Sequence, residues 1–450
     1  MSAARTRLGW PSIVGYGVGD FAFNLLFTFC SLFLLYYYTD VLGLSPSVAG
    51  LVMMIALIWE GATDPIVGIV ADRTRTRWGR YRPYMLFGCV PLALSFAAMF
   101  VNLGLRGPAL AAYVFATHLV FRTIYTAVNI PYIALSAQLT SDSLERGRLA
   151  GTRMICATGC SLTLATCALP LVHALGSYLL LSLVLGGTSV LILLISVAAS
   201  RESGRADAAT HPNIGAMLRS VRGNAPFLVL VFGTMLCSIG GTMSNKALVY
   251  YMKYVVGSEA AVSTGLGILL GAAALSMIPW MLLTRHTSKR VVWLCGTSVS
   301  VTASFFLYLL SPRIGVALWP LLALAGIGYA AVLLSYWSML PDTVEYGEWR
   351  TGIRAEGAIV GLLLFTQKIA LGIGTGLLGI LLDAIGYVPN RPQTAATLHG
   401  LIVMYTLVPL GLSLAGGACI FFYPLDSRTH GRVVRIIARR RRRALPAGQG

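Results

Sequence analysis

Apolar runs of roughly 20 residues, the length a helix needs to cross the hydrocarbon core of a bilayer, recur about twelve times along this 450-residue chain. Lipid offers no hydrogen-bond partner to a backbone N–H or C=O, so runs of this kind cross only as helices that satisfy themselves. The expected spans are 12–38, 48–70, 84–103, 109–137, 149–172, 178–199, 226–256, 261–284, 291–310, 316–340, 356–385 and 399–423. An all-α integral membrane protein follows, and a composition 56% hydrophobic and only 11% charged agrees with it. The first run, "LGWPSIVGYGVGDFAFNLLFTFCSLFLLYYY", is expected to stay as helix rather than leave as a signal peptide. It is too long and too aromatic, and no small-residue cleavage site follows it.

Charge sets the expected orientation. Arg5, Arg7, Arg73, Arg75, Arg77, Arg80, Arg82, Arg146, Arg148, Arg201, Arg205, Arg219 and Arg222 fall on one side. So do Arg285, Lys289, Arg290, Arg350, Arg354 and eight arginines from Arg428 to Arg443. About 26 of the 34 Lys and Arg are collected there, against Arg106, Arg313 and Arg391 on the other side. The positive-inside rule therefore places both termini in the cytoplasm; a bacterial inner (plasma) membrane is the expected location. A net charge of +18 then reads as topology and contact with anionic lipid headgroups, not as a nucleic-acid site. The tail run "RIIARRRRR" is expected to be a solvated stop-transfer end. The eight cysteines lie in apolar runs without CxxC spacing, as core-filling thiols do.

The one long polar linker, Ser200 to Pro226, splits the spans six and six. The expected organisation is a six-helix half over 1–199, a cytoplasmic linker over 200–225, a second six-helix half over 226–425 and a basic cytoplasmic tail over 426–450. A basic connection follows the second span of each half, "DRTRTRWGRYRP" and "TRHTSKR". A repeat of six-helix halves is the pattern of the major facilitator fold, with a substrate site midway between them.

An ionised carboxylate at membrane depth must face protein, water or a cation. Glu60, Thr63 and Asp64 stand at i, i+3 and i+4 on the second span, which puts both acids on one helix face. Such a pair either shares a cation, Na⁺ held through hard oxygens or a proton, or makes a structural ion pair, with Lys368 a candidate partner. Thr126 on the fourth span is a candidate further oxygen. Asp20 and Asn24, with Tyr16 one turn earlier, and the stripe Arg122, Thr126 and Asn129 offer hydrogen bonds to a polyhydroxylated ligand. Arg122, Arg153, Lys246 and Lys368 are the bases at membrane depth, with Lys253 expected to snorkel. With the cation bound the cavity is positive, which favours an anionic group such as a uronate. Six histidines without ligand spacing, and no phosphate-binding glycine loop, argue against a membrane enzyme or a nucleotide-driven pump. No cofactor is expected beyond the coupling ion.

The stretches "YGVGDFAFNL", "YYYTDVLGLS", "IWEGATDPIVGIVADRTRTRWGRYRP", "NIPYIALSAQLT", "PDTVEYGEWRTGIRAEG" and "IGYVPN" resemble the glycoside-pentoside-hexuronide:cation symporter family of the major facilitator superfamily, the group of the melibiose permeases. The resemblance implies cation-coupled symport of a sugar, glycoside or hexuronide by a monomer. It assigns Glu60 and Asp64 to the cation site, with Na⁺ as the metal if sodium couples, and Thr63 and Thr126 as supporting ligands. Lys368 is implied near that site, Arg153 at the sugar cavity, and Trp337 with Tyr336 as an aromatic surface for the sugar ring. Departures are Asn24 and Asn129, where the galactoside-binding pattern has aspartates, Leu57 in place of an arginine, and Glu60 in place of the shorter Asp. Asp72, Arg73 and Arg77 facing Asp342 and Glu345 are expected to form a salt-bridged cytoplasmic gate in the outward-open state. A cation-coupled lysolipid or other amphiphile transporter of the same fold is the alternative reading.

Overall fold

A computed structural model describes residues 9–140, 143–200, 223–311, 315–352, 356–425 and 427–444. Most of the expected linker, together with Arg5, Arg7, Arg201, Arg205, Arg219, Arg222, Arg313 and Arg354, lies outside the described residues. Twelve long helices match the twelve expected spans one to one. In chain order they are α1 (Trp10–Tyr36), α2 (Pro46–Arg73), α3 (Arg82–Ala98), α4 (Gly107–Leu139), α5 (Ser143–Leu175) and α6 (Tyr178–Ala199). Then follow α7 (Ala225–Tyr250), α8 (Ala260–His286), α9 (Lys289–Leu310), α10 (Leu318–Thr351), α11 (Glu356–Ala384) and α12 (Ala395–Phe421). A thirteenth, α13 (Ser427–Ala444), forms the tail. Among the described residues ten helices are long and apolar enough to cross a membrane. The apolar α3 is shorter, and α4 is interrupted by His118, Arg122 and Asn129.

Several helices outrun their apolar stretch. At 1.5 Å per residue, 33 residues of α5 reach about 50 Å, well beyond a hydrocarbon core of about 30 Å. Because α5 begins at Ser143 and not near 149, Arg153 stands almost three turns inside it. Pro at N1 or N2 of α1, α2, α3 and α4 costs no hydrogen bond, since those N–H groups have no intrahelical partner.

The helices gather into two compact units that do not follow the chain halves. The first holds residues 1–208, 245–267 and 375–401; the second holds 209–244, 268–374 and 402–450. In the first, α1 packs on α5 and α6, α2 on α4, and α3 on α4 and α6. Phe29, Phe33, Phe96, Phe100 and Tyr37 fill its interior, with Tyr37 Oη donating to the Phe100 carbonyl at 2.8 Å. The α2 backbone meets the C-terminal part of α11 closely: a Cβ on Gly50 would lie 3.0 Å from the Thr375 carbonyl oxygen and 3.1 Å from Gly379 Cα. Small residues permit that approach. In the second unit α9 packs along α10, around Phe227, Trp293, Met339, Ile359, Leu363 and Ile420.

The tail corrects an expectation. Instead of a solvated end, α13 packs on α10, with Val433 and Ile437 buried and His430 against Glu345 and Asp342. Its apolar positions recur at helical spacing between arginines, so one face has core to cover.

A repeat shows at the ends of α1 and α7. Both run into a π-helical turn, Tyr37–Val41 and Tyr251–Val256, and both stop at a glycine of positive φ, Gly43 and Gly257. The sequences "LYYYTDVLG" and "VYYMKYVVG" align over this feature, placing Thr39 and Asp40 opposite Lys253 and Tyr254.

Candidate functional site

α2 and α4 bring the two acids of α2 onto the polar stripe of α4 in matching register. Arg122 Nη1 donates to Glu60 Oε2 at 2.8 Å, and one turn on Thr126 Oγ1 donates to Asp64 Oδ1 at 3.0 Å. Each rung spans 62 residues of sequence, so the two helices run in the same sense. Glu60 and Arg122 are 1% and 2% exposed; Asp64 is half-buried. A carboxylate so enclosed is tolerable only with a charge partner and hydrogen bonds. The guanidinium of Arg122 is itself enclosed: its Nε donates to His118 Nε2 at 3.1 Å, and the rings of Phe27 and Phe121 lie 5.5 and 5.7 Å away. Thr63 turns its hydroxyl to the carbonyls of Trp59 and Glu60, as a threonine inside a helix commonly does.

A second polar group lies between α1, α4 and α5. Arg153 Nη2 donates to Asp20 Oδ1 at 3.0 Å, and its guanidinium sits 5.2 Å from the Tyr132 ring. These two charges are 22% and 15% exposed, open enough to meet a ligand. Asn24 donates to the Asp20 carbonyl at 2.8 Å, and Asn129 is half-buried on α4.

Three expectations change here. Arg122, expected as a sugar contact, spends its guanidinium on Glu60 and His118, because burial leaves it no water. Tyr16 is sealed: its hydroxyl donates to the Tyr132 carbonyl at 2.9 Å, Tyr132 returns a bond to the Tyr16 carbonyl, and the rings stack at 4.7 Å. Lys253 does not snorkel; its ammonium lies 3.0 Å from Asp40. Of the residues expected at the cytoplasmic gate, Asp342 pairs with Lys289 at 2.8 Å and with His430, and Glu345 pairs with His430. Asp72 accepts from Tyr81 Oη at 2.6 Å, Arg77 stacks on Trp78 at 3.9 Å, and Arg73 is exposed. In the second unit Trp337 is 43% exposed beside buried Tyr336, and Lys368 is half-buried on α11.

Helical spacing alone does not point to the cluster around Asp40, whose carboxylate is 1% exposed. It accepts from Lys253, Tyr254 Oη at 2.7 Å, Tyr387 Oη at 2.8 and 2.9 Å, and Thr39 Oγ1 at 2.8 Å. Asn390 donates to the Asp40 carbonyl at 2.6 Å. Asn390 has φ +55°, a left-handed conformation that asparagine tolerates better than most residues. Burial, and then the Asp40 charge, hold the Tyr387 hydroxyl far above the ordinary tyrosine range. The sequence signal for this cluster is an acid closing an apolar run, inside a motif repeated at α7.

Residues 15–427 match the family model described as MFS/sugar transport protein. The chain is 29% identical to the isoprimeverose transporter of Lactiplantibacillus pentosus, covering 93% of this chain and 89% of that protein. It is 30% identical to a glucuronide carrier protein homolog of Escherichia coli K12, covering 95% of each. In fold it is similar to a bacterial homolog of the human lysosomal transporter Spinster, with TM-score 0.71 and 12% identity over 96% of this chain and 99% of that one.

Proposed function

Because the chain belongs to the MFS/sugar transport protein family, we propose that it is a secondary transporter carrying a sugar, glycoside or hexuronide together with a cation, Na⁺ or H⁺, by alternating access. The observation that carries this reading is the acid ladder of α2 on α4. Two carboxylates at membrane depth, Glu60 sealed against an arginine and Asp64 half-buried and bonded to a hydroxyl, make a place suited to exchangeable positive charge. Asp20 and Arg153 add a partly exposed pair with both donor and acceptor capacity, suited to sugar hydroxyls or a uronate. The activities named for the two sequence relatives, an isoprimeverose transporter and a glucuronide carrier homolog, support the same substrate class.

Coupling requires that cation and sugar each favour the state that holds the other, a reciprocal free energy typically of about 1–3 kcal/mol. The charge asymmetry of the sequence supports cytoplasmic termini, and the similarity to the Escherichia coli glucuronide carrier homolog supports a bacterial inner membrane. The test is uptake of radiolabelled isoprimeverose, methyl β-D-glucuronide and related glycosides into proteoliposomes, driven separately by Na⁺ and H⁺ gradients. The expected result is accumulation of at least one of them under one gradient. Folded protein that accumulates no glycoside or hexuronide under either gradient would overturn the reading.

A further inference from the structure

We propose that the groove between α3 and α4 binds one anionic phospholipid, with an acyl chain in the groove and the phosphate against Arg73, Arg75 and Arg77. The site stands apart from the residues offered to sugar and cation, and it does not depend on the symport reading.

Two helix faces of the same spacing build the groove. On α3, Tyr84, Phe87 and Gly88 stand at i, i+3 and i+4, and on α4 Ile124, Ala127 and Val128 repeat that interval. With Thr74 and Pro83 they line an open cavity of about 380 Å³. Gly88 sets its floor, because a Cβ there would overlap Val128 Cγ2 and glycine lets the α3 backbone come against α4. Thr74 and Tyr84 carry the only polar side chains of this lining, and their hydroxyls bond to each other at 2.6 Å. Sugar hydroxyls would lose water there without matched partners. A hydrocarbon chain needs none, and a volume at the low end of small-ligand clefts, about 300–1,000 Å³, suits one chain better than a whole lipid.

The rim supplies the opposite chemistry. Thr74 lies in "DRTRTRWGRYRP", a stretch with five arginines and one acid, where Arg73, Arg75 and Arg77 are all exposed. Arg77 stacks on Trp78 at 3.9 Å, and Trp78 meets Phe87 of the groove wall edge-on at 5.3 Å. Guanidinium, indole and groove thus follow one another as charge, interface and hydrocarbon do at a leaflet surface. Phe87 is 59% exposed, an apolar ring that an acyl chain would cover. Guanidinium groups hold phosphate oxygens through paired N–H donors. The charge asymmetry of the sequence assigns this loop to the cytoplasmic side, where the leaflet carries a negative surface potential. A zwitterionic lipid offers the same chain and phosphate, but its own cation is repelled by the three arginines.

The test uses the purified full-length protein in detergent, read by native mass spectrometry and by unfolding temperature. The probes are dioleoyl phosphatidylglycerol, dioleoyl phosphatidylcholine and glycerol phosphate. One phosphatidylglycerol per chain is expected to be retained at about tenfold lower lipid concentration than phosphatidylcholine. It is expected to raise the unfolding temperature by about 2 °C, with no rise from glycerol phosphate. Equal retention of the two lipids, or a rise from glycerol phosphate as large as from the lipid, would overturn the site.

Two sets of variants locate it. Arg73→Gln/Arg75→Gln/Arg77→Gln is expected to fold and lose the preference for phosphatidylglycerol. Arg432→Gln/Arg435→Gln/Arg439→Gln, on the exposed side of α13, is expected to keep it. A preference lost with the α13 arginines and kept without the loop arginines would overturn the assignment. Ala127→Phe, which fills the groove, is expected to weaken retention of both lipids about tenfold, with Ile124→Phe in its place should the first variant not fold. Retention as strong as in wild type by the folded groove variant would contradict the seat for the chain.

Discussion

Two aspartates of the first compact unit are held in contrasting ways. Asp40, at the end of α1, collects donors from its own turn, from the end of α7 and from the segment after α11. Asp64, in the middle of α2, is met from α4 by a neutral hydroxyl. The first is over-determined, with a lysine and two tyrosines converging on one carboxylate, and nothing mobile is needed to make it tolerable. The second is half-buried, and under the proposed symport it belongs to the site that receives a travelling cation. Under that proposal, identical side chains in one compact unit divide into a clasp and a carrier. Enclosure separates them: the Asp40 carboxylate is 1% exposed, whereas Asp64 is half-buried.

The sharpest way to break this contrast is to move the segment that caps Asp40. Gly379 lets α11 approach α2 so closely that a Cβ there would overlap the Pro46 carbonyl oxygen. Gly379→Val is expected to push α11 away, take Tyr387 off Asp40, and cost more than about 4 kcal/mol. Loss of folded protein on size-exclusion chromatography, with Gly411→Val as the tolerated control because open space surrounds Gly411, checks it.

Asp40→Asn comes next. It strands Lys253, a partner only 16% exposed, and is expected to cost about 3 kcal/mol of stability in thermal unfolding. Asp64→Asn is expected to cost less than about 1 kcal/mol by the same measurement. Equal losses would erase the distinction between clasp and carrier. Tyr387→Phe removes one hydroxyl from a charged acceptor and is expected to cost about 2 kcal/mol.

The smallest expected effect is one of pH. The Tyr387 hydroxyl has its proton affinity raised in the folded state, so its contribution is complete below the unfolded tyrosine value of about 10 and is lost only as pH rises through the higher folded value. The stability difference between wild type and Tyr387→Phe should therefore stay flat from about pH 7 to 9. A difference that shrinks across that window would show Tyr387 ionising early, against the buried bond to Asp40.

Much of the fold is legible in the sequence because it is local. The twelve helices follow from run length, and Glu60 and Asp64 fall on one face because they are four residues apart. Thr126, expected as a further oxygen, is bonded to Asp64. The partners of the other charges are not legible. Arg122 is 62 residues from Glu60, Lys253 is 213 from Asp40 and Tyr387 is 347 from it, and helical spacing carries no information over such separations. By spacing alone Arg122 therefore passes for a sugar contact and Lys253 for an interfacial lysine. The arginine-rich tail misleads for a different reason. Charge dominates its composition, while the residues that dock α13, His430, Val433 and Ile437, are few and spaced along one face.

The most direct measurement is the accumulation of radiolabelled glycoside in proteoliposomes under an inward Na⁺ or H⁺ gradient, wild type beside Asp64→Asn. The account predicts that the wild type concentrates the glycoside above its external level, while the variant equilibrates it and still exchanges it across the membrane. Concentration by Asp64→Asn as complete as by the wild type would contradict it.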